Sequence, residues 1–123
     1  MGWLSWVYPS RCALCGLVSE AALCRSCSQE MESLTDGFHQ PEGETPIVRV
    51  AHAVRYAGRA AQAVCRLKYE RVTSLADPLA EKLASTVQWD DFDLIVPIPI
   101  HWRRRWMRGF NQSELLCRTL PPE

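Results

Sequence analysis

From Val48 to Tyr56 the side chains alternate: Val48, Val50, His52, Val54 and Tyr56 fall on one side of an extended chain, Arg49, Ala51, Ala53 and Arg55 on the other. A period of two predicts a half-buried strand, with His52 packed on its apolar side. Further on the period lengthens. Ala61, Val64, Cys65 and Lys68 recur at helical spacing between Gly58 and Tyr69, and Leu75, Leu79, Leu83 and Val87 make a second helical stripe. That second helix starts at Ser74 or at Asp77, the latter placing Pro78 at the first helical position. Asp93 to Val96 is a short unbroken apolar run, the pattern of a central strand covered on both faces. Pro97 and Pro99 end its pairing, because neither ring nitrogen can donate to a ladder. Asn111, with Glu114 three positions later and Phe110 placed against Leu115, predicts a capped and stapled helix start. Between strand and helix, Trp102 to Arg108 reads as a basic loop. Cys65 and Cys117 stand alone in helical context and read as small buried hydrophobes.

Thr35 to Pro46 interrupts this patterning with two Gly, two Pro and several acids, the composition of a linker. The chain thus divides into an N-terminal helix and cysteine-rich segment (1–34), a linker (35–46) and an α/β portion (47–123). At 123 residues it is shorter than the roughly 150 that one domain commonly takes, which excludes two full-sized domains. Hydrophobic residues make up 47% and charged residues 23%, a composition that packs a core and argues against disorder. Lys+Arg and Asp+Glu both number 14, so no bulk charge steers the chain toward nucleic acid or an anionic membrane. The opening Met1 to Pro9 is too short to span a membrane and lacks the features of a secretory signal, which predicts a cytoplasmic protein with no membrane partner.

In that compartment six cysteines are poor candidates for disulfides. Four stand as Cys12-Ala-Leu-Cys15 and Cys24-Arg-Ser-Cys27. Two residues between thiolates let one tight turn aim both sulfurs at a single centre, and a second turn closes the tetrahedron that Zn2+ accepts. Gly16 supplies permissive backbone behind the first pair. The competing reading is a redox dithiol, but that motif follows a buried strand, opens a helix and is not duplicated. With four thiolates there is no open position for a substrate, so the metal is structural. A segment this short also needs one, since little apolar surface can be buried below about 40 residues. The short insert predicts a small ribbon or a pair of knuckles, with a helix over Ser28 to Leu34 leading away.

Arg103, Arg104, Arg105 and Arg108 gather just before the helix start at Asn111, with Glu114 the one nearby acid. Open α/β sheets bind ligands beyond the carboxyl ends of their strands, and the unpaired N–H groups of a helix start favour anions. A phosphate or pyrophosphate group fits this setting. Two other readings stand beside it: the arginines form a solvated face, or Trp102 and Trp106 stack single-stranded bases while the arginines track phosphates.

Read together, these pieces resemble the ComF/GntX family of phosphoribosyltransferase-like proteins, linked with the use of imported DNA. The matching segments run in order: the four-cysteine ribbon from Pro9 to Cys27, Tyr56 to Gly58, Leu67-Lys68-Tyr69, Val96 to His101, and Arg108-Gly-Phe-Asn-Gln112 leading into Leu115 and Leu116. The resemblance implies a zinc ribbon followed by a type I phosphoribosyltransferase-like α/β domain that binds phosphoribosyl pyrophosphate. Pro97 to His101 is similar in position to the family's pyrophosphate loop. Lys68, His101, Arg108, Asn111 and Gln112 are carried over as the pyrophosphate side of the substrate site. Family members continue into paired aspartates and a Thr-Thr-Gly turn that hold the ribose, the 5-phosphate and Mg2+. Those segments are absent from these 123 residues. The expectation is an incomplete transferase domain, catalytically incompetent by itself, in which Mg2+ would matter only in a complete site. The alternative is a zinc-ribbon interaction module that grips single-stranded DNA or a protein partner.

Overall fold

The computed structural model describes residues 8–34 and 38–121. The helix expected at the N-terminus lies outside the described residues. The first feature among the described residues is a compact turn around Cys12 to Gly16, closed by an antiparallel bridge between Arg11 and Val18. Next come α1 (Arg25–Gln29), β1 (Phe38–His39), β2 (Val50–Ala51), α2 (Gly58–Tyr69), α3 (Ala76–Ala84), α4 (Trp102–Arg108) and α5 (Gln112–Cys117). A 3-10 turn at Thr73–Leu75 runs directly into α3, and another spans Trp89–Asp91.

The helical periodicity holds and the strand patterning holds only in part. α2 covers the expected residues, but its buried stripe is Ala60, Ala63 and Leu67, about one position off the expected face. Leu75 and Leu79 are buried as the second stripe requires. The alternation from Val48 to Tyr56 yields one two-residue strand, β2, whose antiparallel partner β1 lies in the expected linker, with Phe38 opposite Ala51 and His39 opposite Val50. Val54 adds a single bridge to Ser33, while Val48 and Tyr56 are exposed. His52 is exposed too: instead of packing into the interior, its ring stacks on His39 with centroids 4.9 Å apart.

Asp93 to Val96 is not a strand, a correction to the apolar-run reading. It has no ladder partner, and Leu94, Val96 and Ile98 are 74%, 71% and 74% exposed. A central strand needs a neighbour on each edge, and the described sheet has only β1 and β2. The fold is therefore a cluster of helices with a two-stranded ribbon, and the expected parallel sheet does not form among the described residues. Asp91, beside this segment, pairs with Arg49 at 3.9 Å, and the Arg49 guanidinium lies 4.6 Å from the centre of the Phe38 ring.

The stretch expected as a basic loop is also different: Trp102 to Arg108 is helical, capped by His101, whose Nδ1 accepts from the Arg103 amide at 3.3 Å. Gly109, at φ 82°, stops this helix in the left-handed conformation that glycine tolerates best. The start of α5 matches expectation, with Asn111 Oδ1 accepting from the Ser113 amide at 3.1 Å. Glu114 turns away from its box role and meets Arg105 at 2.6 Å. The Asn111 side chain is buried and its amide also donates to the Ile98 carbonyl at 3.0 Å, tying the extended segment to the helix pair.

One apolar core joins the cysteine-rich segment to the central helices. Cys12, Leu14, Leu23, Cys27 and Met31 from the cysteine-rich segment join Ala60, Ala63 and Leu67 of α2 and Leu75, Ala76 and Leu79 around α3. Side chains stitch the same boundary: Arg59 pairs with Glu30 at 3.0 Å, and Arg66 donates to the carbonyl of Ala13. α5 covers α3 on its other side, where Thr119 donates to Asp77 at 2.9 Å.

Candidate metal centre and basic cleft

The first cysteine turn is closed mainly by backbone hydrogen bonds, with the Arg11 side chain donating to the Gly16 carbonyl at 3.0 Å. The Gly16 amide donates to the Cys12 carbonyl at 3.0 Å, Cys12 donates to Leu17 at 2.8 Å, and Ala13 reaches Ala22 at 2.8 Å. Gly16 has φ 75°, so the permissive residue is where the turn needs it. The second pair is arranged differently from the expected knuckle. Cys24 is the N-cap of α1 and Cys27 sits inside that helix, which ends at Gln29 and does not extend to Leu34. One helical turn then points both sulfurs the same way.

The four sulfurs converge to within 4.8 Å of one another, with Cys15 and Cys24 at 3.6 Å. A Zn–S bond of about 2.3 Å places tetrahedral sulfurs about 3.8 Å apart, so the cage has the size of that ion. Its electrostatics also call for a cation. Burial works against ionising Cys12, but amide donation from Cys24 at 3.3 Å and from Leu14 outweighs it and brings the thiol down to about 6. Cys27 is pushed up to about 12, by burial first and then by the three sulfurs beside it. A cation bound among the sulfurs would favour the thiolate form. These residues fit zinc, and with every position filled by sulfur the ion would organise the fold and leave no site for chemistry.

The second feature is a cleft of about 470 Å³ lined by Lys68, Tyr69, Arg71, Arg104, Met107 and Arg108. Two distant motifs meet there, because the end of α2 supplies Lys68 and Tyr69 while α4 supplies Arg104 and Arg108. Helical spacing sorts the arginine cluster. Arg104 and Arg108, four apart, share the cleft face; Arg105 turns to Glu114; Arg103 remains exposed. No carboxylate lines the cleft among the described residues. Arg108 lies 5.2 Å from the centre of the Tyr69 ring and donates to Gln112 Oε1 at 3.3 Å.

The structure therefore distributes the five carried-over residues. Lys68 and Arg108 line the cleft, Gln112 stands behind Arg108, and His101 and Asn111 serve as the caps of α4 and α5. Sequence reasoning missed Arg71, which lies past the end of α2. Its one signal is a cation following a helix C-terminus, where positive charge is favoured.

Residues 3–38 match the family model of the double zinc ribbon domain. That match spans roughly the first third of the chain and includes all four cysteines of the cage. The chain is also similar to proteins named DNA utilization protein YhgH. It is 34% identical to that of Escherichia coli K12 over 82 residues, covering 61% of this chain and 36% of the relative. To the Escherichia coli O157:H7 protein it is 30% identical over 124 aligned positions, 87% of this chain and 53% of the relative. To the Salmonella typhimurium LT2 protein it is 30% identical over 115, or 90% and 47%. The chain spans about half the length of the last two relatives and about a third of the first. No solved structure matches it. Among the described residues no helix is long and apolar enough to cross a membrane.

Proposed function

We propose that this chain couples a structural zinc ribbon to the pyrophosphate side of a phosphoribosyltransferase-like site, in a protein of the DNA utilization kind, and that its own role is to hold a phosphate-bearing sugar or nucleotide. The observation that carries this reading is the cleft itself: Lys68 and Arg108 come from separate motifs and face one concavity together with Arg71 and Arg104. Phosphate carries about −1.5 to −2 charges at neutral pH, and guanidinium groups meet it in a fixed fork of donors. Among the described residues the cleft offers no carboxylate to act as base or to hold Mg2+. Binding without turnover is therefore the role assigned to these residues.

A second reading rests on a different surface. Trp102 and Trp106, one turn apart on α4 and 70% and 84% exposed, border an open apolar hollow with Arg105 and Gly109. Aromatic platforms beside guanidinium groups suit single-stranded DNA, at about 1–3 kcal/mol per stacked base. The zinc-loaded chain should be titrated with labelled phosphoribosyl pyrophosphate and with a single-stranded oligonucleotide across salt concentration. The first reading expects sugar-phosphate binding that is lost in Lys68→Ala and Arg108→Ala and kept in Trp102→Ala/Trp106→Ala. Salt-sensitive DNA binding that needs the tryptophans, with no sugar-phosphate binding, overturns the first reading and establishes the second.

A further inference from the structure

Arg71 is the one described residue other than glycine with positive φ, at 58°. It follows directly on the end of α2, where the amides of Glu70 and Val72 both return to the Arg66 carbonyl and force the chain to turn. Glycine is the residue that occupies such a turn without steric penalty, and an arginine there is held against its backbone preference. The side chain is equally constrained: its guanidinium donates to the Met107 carbonyl near the C-terminal end of α4. That bond ties the turn after α2 to α4, and Arg71 lines the cleft together with basic residues of both helices. Strain retained at a ligand-facing residue points to a role for the side chain that the backbone alone does not explain.

Charge sets the class of ligand. Lys68, Arg71, Arg104 and Arg108 bring four positive charges to the lining. A single phosphate, at about −1.5 to −2, leaves roughly half of that unmatched, whereas two linked phosphates match it. Lys68, Arg104 and Arg108 suffice for one phosphate. We propose that Arg71 is the specificity-determining residue of the cleft, the cation that makes it prefer two linked phosphates to one. This rests on the reading of the cleft as a phosphate site.

The test uses the full zinc-loaded chain and two probes, inorganic pyrophosphate and inorganic phosphate, measured by calorimetry. The natural chain should bind pyrophosphate more tightly. Arg71→Gly relieves the left-handed backbone, so it should melt at the same or a higher temperature, while pyrophosphate affinity falls about 10-fold or more and phosphate affinity stays within about twofold. Arg71→Lys keeps the charge without the fork and should fall between the two. If Arg71→Gly does not fold, Arg71→Lys decides in its place: weakened pyrophosphate binding supports the role, and unchanged binding refutes it. A natural chain that selects pyrophosphate equally well with glycine at this position refutes the role of Arg71 and leaves the phosphate reading intact. A natural chain that binds neither probe refutes both.

Discussion

Removing zinc should unfold more than the ribbon. Leu14, Leu23 and Met31 are 5%, 6% and 2% exposed and lie in one core with Ala60, Ala63 and Leu67 of α2. Burial of each such side chain contributes about 1.5–3 kcal/mol, so the three together supply about 5–9 kcal/mol of packing that the metal holds in place. A domain's whole stability is about 5–15 kcal/mol, so a loss of this size is not confined to the segment where it starts. The Arg66 bond to the Ala13 carbonyl, inside the first cysteine turn, would go with it. The perturbation is a strong chelator, or Cys24→Ser, followed by far-ultraviolet circular dichroism and amide hydrogen exchange with and without added zinc. The melting transition should shift strongly or disappear, and α2 amides should lose protection together with those of α1, both recovering when zinc is restored to the natural chain. If the chelator removes the metal, measured directly, while α2 keeps its protection and the melt is unchanged, the shared core is not what holds α2 and the reasoning is refuted.

Asn111→Ala removes a helix cap and the amide that holds the Ile98 carbonyl, and should cost about 2 kcal/mol in urea unfolding, from roughly 1 for each. Gly109→Ala forces a Cβ into a left-handed turn at φ 82° and should cost about 1–2 kcal/mol, with no steric clash to add to it. The Glu114 carboxyl is held below its ordinary range, chiefly by its hydrogen bond to Arg105. Its folded-state value lies below its unfolded one, so the stabilisation is present at neutral pH and is lost as pH falls through the lowered value. The melting temperature of the natural chain should accordingly exceed that of Glu114→Gln at pH 7 by a small, salt-sensitive margin, and the margin should vanish well below pH of about 4. An undiminished margin in acid would assign the effect to packing.

The metal centre was legible in the sequence because its information is local. Two residues between thiolates nearly fix where both sulfurs point, and Cys12, Cys15, Cys24 and Cys27 need only two turns brought together. The cap at Asn111 and the extent of α2 are local in the same way, since helical bonds close within four residues. A strand has no such closure. Val48 to Tyr56 and Asp93 to Val96 carry strand patterns, yet a ladder requires a partner elsewhere in the chain, and only Val50 and Ala51 form one, against residues whose composition reads as a linker.

The basic cleft belongs to the tertiary structure for a related reason. That four arginines stand close together is plain from residue order; the helical phase of α4 sets Arg104 and Arg108 on the cleft, while Arg105 is taken by Glu114. Packing then set Lys68 and Arg71 opposite them, across a separation no local pattern records. Sequence therefore defined the ion and its ligands, through short-range stereochemistry. Only the fold decided which charges share a cavity, because that depends on how helices lie against one another and on which side chains find partners on the way.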